Sequence, residues 1–253
     1  MATDAIYIIA IGAIVAGFIQ GLSGFAFSMV SISFWAWVLD PRLAATLAVF
    51  GALTGQILAA FSVRRGFNLN LLWPFILGGL AGIPMGVAVL PYLDMDWFKV
   101  ILGALLVLWC PAMLFSQQLP RITIGGRLAD GIVGIAGGIM GGIGGFTGTL
   151  PTLWCTIRGY DRDAQRAVIQ NFNLSMLLVT MCTYLATGMI TTEMLPLFAI
   201  VLPAMLIPTL LGTRFYTKIN DVAFRKIILT LLTCSGIALL LSSVPSLLER
   251  LSS

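Results

Sequence analysis

Long apolar segments recur along this chain with only short polar stretches between them. Each segment has at least the roughly 17 residues that a helix needs to cross the hydrocarbon core of a bilayer. Hydrophobic residues make up 59% of the 253 and charged residues only 9%, whereas a soluble domain carries about 25% charged residues. We therefore predict an all-α polytopic membrane protein. Its eight apolar segments are residues 5–39, 43–63, 69–92, 98–115, 129–157, 167–189, 194–216 and 224–243.

The composition argues against several classes of function. The basic residues behind the net charge of +4 lie in short loops, the usual pattern of cytoplasmic loops in membrane proteins. The chain has no histidine, its four cysteines stand singly in apolar segments, and it has no nucleophile–base pair or phosphate-binding loop. We therefore expect no enzyme activity, no metal, no cofactor, no nucleic-acid partner and no transport driven by ATP.

The second half of the chain repeats the first. Gly21–Phe25 matches Gly142–Phe146 at an offset of 121 residues, and Asp40 matches Asp161 at the same offset. Later matches drift to offsets of 122 and 126, as a few loop insertions would produce. We predict two four-segment repeats, residues 1–120 and 121–253, a common plan in secondary transporters.

The first segment of each half contains a helix-weakening cluster. Residues 5–39 would form a helix of roughly 52 Å, too long for one crossing, and Gln20–Gly24 lies in its middle. The matching segment is interrupted at Gly141–Gly145 and again near Gly148 and Pro151. Each is either one interrupted span or a re-entrant hairpin that enters and leaves on the same side.

Loop charge favours the hairpins. With two hairpins, eleven of the fourteen Lys and Arg share one side of the membrane, whereas two single spans divide them nine to five. The hairpins satisfy the positive-inside bias better, leave three true crossings in each half, and make the two halves inverted. Both alternatives place the two termini outside.

A helix that starts inside the membrane has amide groups without an intrahelical partner, and these favour an anion. We predict that helices starting at Phe25 and Phe146 point at a shared cavity near the midplane. Side-chain donors and the backbone of the two interruptions would bind the anion there. The predicted residues are Gln20, Ser23, Gly24, Phe25, Ser28, Gly144, Gly145, Phe146, Thr147 and Thr149.

The glycines of the second interrupted segment have another interpretation. Gly131, Gly134, Gly138, Gly141, Gly145 and Gly148 follow each other at steps of three and four. Such a stripe allows close helix packing in lipid and needs no ligand.

A polar stripe enters the sixth segment, where Arg166, Gln170 and Asn173 share one helix face. These residues line the path of an anion, or Arg166 reaches to the cytoplasmic surface while the amides bridge helices. Thr54 and Gln56 in the second segment are open to the same two interpretations. The acidic residues lie at or near segment ends, so we interpret Asp40, Asp130 and Asp161 as solvated loop and cap residues.

Several motifs together resemble the sulfite exporter TauE/SafE family of bacterial anion transporters. They are Gly17–Phe27, Leu39–Arg42, Gly141–Pro151, Arg166 and Gln170–Phe172, and the resemblance covers about residues 8–243. It implies a multi-pass carrier in the cytoplasmic membrane for sulfite, sulfoacetate or other organosulfonates, which often moves them outward.

Three functions therefore stand side by side. The first is a secondary transporter of small sulfur-containing anions, and the second is a carrier or channel for another small anion on the same fold. The third is a membrane scaffold or accessory subunit whose glycines only pack helices. The partners expected are a small anion and the lipid bilayer, and homo-oligomerisation is left open.

Overall fold

The computed structural model describes residues 3–62, 66–116, 121–122, 125–215 and 221–252, and these form ten α-helices, two 3-10 turns and no strand. Seven of the described helices are long and apolar enough to cross a membrane, namely α1, α3, α4, α5, α8, α9 and α10 as bounded below. The predicted all-α membrane fold is thus confirmed. The helices are α1 (Thr3–Ser23), α2 (Phe27–Trp35), α3 (Pro41–Ser62), α4 (Leu69–Val89), α5 (Met95–Leu114), α6 (Gly126–Gly144), α7 (Thr149–Ile157), α8 (Arg162–Ala186), α9 (Leu195–Phe215) and α10 (Asp221–Ser252). The 3-10 turns are Leu90–Tyr92 and Thr192–Met194.

The first apolar segment is broken and turns back on itself. Helix α1 ends at Ser23, Gly24 takes a positive φ of 82°, and α2 starts at Phe27. The Trp35 indole N–H at the end of α2 donates to the carbonyl oxygen of Ile9 (3.3 Å), near the start of α1. Helices α1 and α2 therefore form an antiparallel hairpin, hairpin 1, whose tip is break 1 (residues 24–26).

The matching segment of the second half folds in the same way. Helix α6 ends at Gly144, Gly145 has a φ of 76°, and α7 starts at Thr149. The Ile122 amide, before α6, donates to the carbonyl of Ile157 at the end of α7 (3.1 Å). Helices α6 and α7 therefore form hairpin 2, whose tip is break 2 (residues 145–148).

The predicted helix starts at Phe25 and Phe146 were wrong by two and three residues. The physical reason is that a glycine with positive φ ends the first helix of each hairpin. Two or three further residues are then needed before the chain regains helical geometry.

The hairpins sort the described basic residues onto two faces. Each hairpin returns to its starting side of the membrane. The start of α1, the end of α2 and the end of α10 therefore share one face, which we call the terminal face. There Arg42 donates to the carbonyl of Pro91 (3.3 Å), and Arg250 pairs with Asp94 (3.1 Å). Three described basic positions lie on it: Arg42, Lys99 and Arg250.

The opposite face carries more positive charge, and we call it the basic face. Its described basic positions are Arg121, Arg127, Arg158, Arg162, Arg166, Arg214, Arg225 and Lys226. Arg64, Arg65 and Lys218, which the sequence also predicted there, lie outside the described residues.

Glycines let α1 pack closely on α9 and α6 on α4. A Cβ on Gly21 would collide with the Thr209 carbonyl and lie 3.0 Å from the Cα of Gly212. A Cβ on Gly86 would lie 3.0 Å from the Cα of Gly142. The two contacts are equivalent under the sequence matches, because Gly21 matches Gly142 at the offset of 121 and Gly212 matches Gly86 at the offset of 126. These contacts are what a duplication would produce, and the two repeats with their boundaries stay a prediction.

Candidate functional site

The side chains around break 1 cap the start of α2. The Phe27 amide donates to Gln20 Oε1 (3.0 Å), and the Ala26 amide donates to Ser23 Oγ (3.3 Å). The Gly24 carbonyl accepts from Gln56 Nε2 (2.6 Å) and from Gln20 Nε2 (3.3 Å). Two amides at the helix start predicted to be free for an anion are therefore bonded to side chains of α1, and the Gly24 carbonyl before them is bonded to α3.

The two hairpins meet at the centre of the molecule. A Cβ on Gly145 would lie 2.6 Å from Ser28 Oγ, and one on Gly144 would lie 3.0 Å from Ile32 Cδ1. Ser28 itself donates to the carbonyl of Ala48 on α3 (3.4 Å). Break 2 thus lies beside the first two turns of α2, where two of the predicted residues, Ser28 and Gly145, come together.

Break 2 packs against the middle of α8. The Thr147 hydroxyl donates to Asn173 Oδ1 (2.9 Å), and both side chains are buried. A Cβ on Gly148 would lie 2.6 Å from both amide atoms of Asn173. The Thr149 hydroxyl donates to the Phe146 carbonyl (2.8 Å). Break 2 is therefore a buried polar contact between hairpin 2 and α8.

The amides of break 2 differ from those of break 1. Within the described part of the chain, the Thr147 and Gly148 amides have no hydrogen-bond acceptor. Because Asn173 Oδ1 accepts from Thr147, the donor atoms of the Asn173 amide, on Nδ2, are the part of that side chain suited to an anion. Break 2 consequently brings backbone and side-chain donors together at the start of a helix.

The predicted stripe on α8 reaches from the basic face to break 2. Arg166 is exposed, Gln170 is half-buried and Asn173 is buried. Seven residues separate Arg166 from Asn173, which is about 10 Å along a helix. Arg166 therefore lies at the surface end of the stripe and away from break 2, while Asn173 contacts it.

The glycine stripe has two parts with different neighbours. Gly134 and Gly138 face the backbone of α4 around Phe75 and Gly79, where a Cβ would collide. Gly145 and Gly148 instead face Ser28 and Asn173 at the contact between the hairpins and α8. The first part of the stripe packs helices and the second part shapes break 2.

Trp109 on α5 contacts both breaks, and the sequence analysis missed it. Its indole N–H donates to the Thr149 carbonyl (2.6 Å), and its ring lies edge-on to Phe25 with centroids 6.3 Å apart. Tyr184, also missed, donates from its hydroxyl to the Gly142 carbonyl (2.7 Å). A single aromatic residue in an apolar span carries no spacing signal, so neither role could be found from the sequence.

One interpretation of the acidic residues was wrong. Asp130 is only 4% exposed and accepts a hydrogen bond from the Trp154 indole (2.7 Å), so it is buried between α6 and α7. Burial, and next the negative charge of Asp130, raise the pKa of the nearby Tyr160 in the loop after α7. Asp40 and Asp161 are N-caps, of α3 and α8, as the sequence indicated.

A cavity of about 190 Å³ lies between the arms of hairpin 2. Its lining is mostly aliphatic and includes no residue of break 2, so the cavity and break 2 are separate. The lining residues are Ile132, Val133, Ala136, Leu150, Leu153, Trp154 and Ile157.

Comparison with known proteins identifies the family. The model of the family described as sulfite exporter TauE/SafE matches residues 9–239, which takes in all or most of each hairpin and of each of the seven apolar helices. No curated protein and no solved structure matches the chain. Members of the family are membrane transporters and not enzymes. The chain therefore belongs to the sulfite exporter TauE/SafE family and is a multi-pass membrane transporter of small anions.

Proposed function

We propose that this transporter is a secondary carrier that exports small sulfur-containing anions, sulfite or organosulfonates such as sulfoacetate, across the cytoplasmic membrane. The observation that carries the proposal is break 2, where two amides without an acceptor among the described residues lie beside the buried Thr147–Asn173 pair. Family membership supports the substrate class.

The chemistry of break 2 suits such an anion. A sulfonate or sulfite group has three acceptor oxygens, and the Thr147 amide, the Gly148 amide and Asn173 Nδ2 supply three donors. The partial positive charge at the start of α7 adds attraction. Burial strengthens these interactions because water does not compete for the donors.

The distribution of positive charge supports an orientation that suits export. The positive-inside rule indicates that the basic face is cytoplasmic. Arg166, exposed on that face and in line with Asn173, would collect anions from the cytoplasm. An anion bound at break 2 would then leave toward the terminal face.

The residues of break 1 form the other half of the proposed site. In the described conformation, Gln20 and Ser23 hold the amides of Phe27 and Ala26. Binding at Gly24, Phe25 and Ser28 therefore requires these caps to release. Exchange of the caps for the anion would couple binding to a movement of hairpin 1, as alternating access requires.

Efflux from proteoliposomes tests the proposal. Purified protein is reconstituted, loaded with sulfite, sulfoacetate or acetate, and compared with Thr147→Val, Asn173→Leu and the control Thr183→Val, whose hydroxyl bonds only within α8 (to Val179, 2.8 Å). We expect saturable efflux of the sulfur anions that the first two changes abolish and the control retains.

Two other outcomes would contradict the proposal. Saturable efflux of acetate alone would favour a carrier for another anion. Equal, unsaturable traces for every anion, unchanged in the variants, would favour the scaffold.

A further inference from the structure

Helices α7 and α8 run antiparallel and leave polar groups along their seam. At the buried end, Gly148 faces Asn173. Toward the basic face, Gln165 Nε2 donates to the Thr156 hydroxyl (2.8 Å). Thr152 lies between these contacts, one helical turn from each on α7. The seam thus connects the cytoplasmic end of hairpin 2 to break 2.

The Thr152 hydroxyl has no hydrogen-bond partner among the described residues, although Thr152 is only 6% exposed. Its carbonyl, by contrast, accepts from the Thr156 hydroxyl (2.8 Å) and from Gln165 Nε2 (3.4 Å). Burying a hydroxyl without a partner is unfavourable, so such a group calls for an explanation.

Other threonines in the described helices make a hydrogen bond that Thr152 does not make. The hydroxyls of Thr46, Thr54, Thr156 and Thr183 each donate to the carbonyl four residues earlier. This bond to the preceding turn is the usual way to satisfy a threonine in an apolar helix. Thr152 leaves it unmade.

The direction of the Thr152 side chain follows from helix geometry. Residues four apart lie on the same helix face, about 6 Å apart along the axis. Because Gly148 faces Asn173, Thr152 faces α8 one turn closer to the basic face.

A second buried hydroxyl continues the line on the other side of break 2. Thr180 lies seven residues after Asn173 and therefore on the same face of α8. It is fully buried, and its hydroxyl also has no partner within the described part of the chain. Leu177 lies between Asn173 and Thr180 on α8, and its Cδ2 would lie 3.5 Å from a Cβ on Gly145. This face of α8 therefore continues past the tip of hairpin 2.

We propose that the α7–α8 seam is the route of the transported anion between the basic face and break 2. The Thr152 hydroxyl is a binding contact before break 2, and the Thr180 hydroxyl is one beyond it. The ligand class is a small oxyanion whose oxygens accept from these hydroxyls. This inference rests on the proposed function, because it places further contacts along the same transport path.

The test separates binding from folding. Thr152→Val keeps the shape of the side chain but removes the hydroxyl, and Thr152→Ser keeps the hydroxyl. Sulfite efflux from proteoliposomes gives KM and the maximal rate, and thermal unfolding of the purified protein gives Tm. Thr183→Val, which loses a hydroxyl bonded within its own helix, is the matched control.

We expect Thr152→Val to raise KM by about 10-fold or more, as loss of a hydrogen bond to a charged ligand does. Its Tm should stay equal or rise, because an unpartnered polar group has been removed. Thr152→Ser should keep a KM near that of the original protein, and Thr180→Val should lower efflux without lowering Tm.

An unchanged KM in Thr152→Val, or a loss of folding in that variant, would overturn the inference about the route. Saturable efflux by the original protein would still support the carrier in that case. Absence of saturable efflux from the original protein would overturn the carrier and this inference together.

Discussion

The packing of break 2 on α8 predicts a specific sensitivity at Gly148. Its φ of −84° and ψ of −6° are open to any L-residue, so alanine there causes no backbone strain. The added Cβ would instead lie 2.6 Å from Nδ2 and Oδ1 of Asn173, where ordinary contacts begin near 3.4 Å. The Asn173 amide must therefore move by about 0.8 Å, the difference between these distances.

That displacement breaks a bond and misplaces a donor. The Thr147 hydroxyl lies 2.9 Å from Asn173 Oδ1, and losing this bond costs about 1 kcal/mol of stability. A shift of nearly 1 Å in a positioning group lowers activity by about 10- to 100-fold. We therefore expect Gly148→Ala to fold and to lose at least about 90% of sulfite efflux, because its effect on stability is small and its effect on the site is large.

The assay is efflux from proteoliposomes, with Tm measured on the same preparation. Gly131→Ala is the matched control, because a Cβ there would lie an ordinary 3.7 Å from the Pro74 carbonyl. It should keep efflux and Tm near their original values. Normal efflux in Gly148→Ala would refute the placement of Asn173 at the anion site, since the contact would then be packing alone.

Three further changes probe the groups around the two breaks. Gln20→Leu removes the acceptor of the Phe27 amide and should lower the free energy of unfolding by about 1–3 kcal/mol; an unchanged denaturation midpoint would contradict the cap. Trp109→Phe keeps an aromatic ring but loses the hydrogen bond to the start of α7, so efflux should fall severalfold. Trp109→Leu should lower efflux further, and equal efflux in the two variants would contradict a separate role for the ring. Asp130→Asn keeps an acceptor for the Trp154 indole and should unfold near the original Tm, whereas Asp130→Leu should unfold earlier; the same Tm for both would argue against the bond.

The fold was accessible from the sequence because lipid restricts the choices. Unpaired amides cannot face hydrocarbon, so the apolar segments had to be helices. Glycine clusters within segments too long for one crossing indicated the two breaks. The excess of arginine and lysine on one side then favoured hairpins over single spans, and the Trp35–Ile9 bond is what a hairpin requires.

The details of the site were less accessible. The sequence indicated Thr147 and Asn173, because polar residues in apolar helices need partners. It did not indicate that Gln20 and Ser23 cap α2, since either a ligand or the protein's own amides can satisfy such side chains. The position of Asp130 was misleading because a carboxylate four residues into a helix usually meets water, whereas here it is buried and accepts a hydrogen bond from the indole of Trp154.

The two breaks are therefore chemically different, although they match in sequence. At the offset of 121, Gln20 and Ser23 correspond to Gly141 and Gly144, and Asn173 corresponds to Ala52.

The first break contains side chains that bond its own amides, and the second has glycine at both of those positions. Side chains at those two positions therefore cannot bond the amides of the second break. This break is left with backbone donors and with the side-chain amide of Asn173 on α8. This difference between the two breaks supports the proposal of a single anion at break 2. On that proposal, hairpin 1 would be the moving partner rather than a second, equal site.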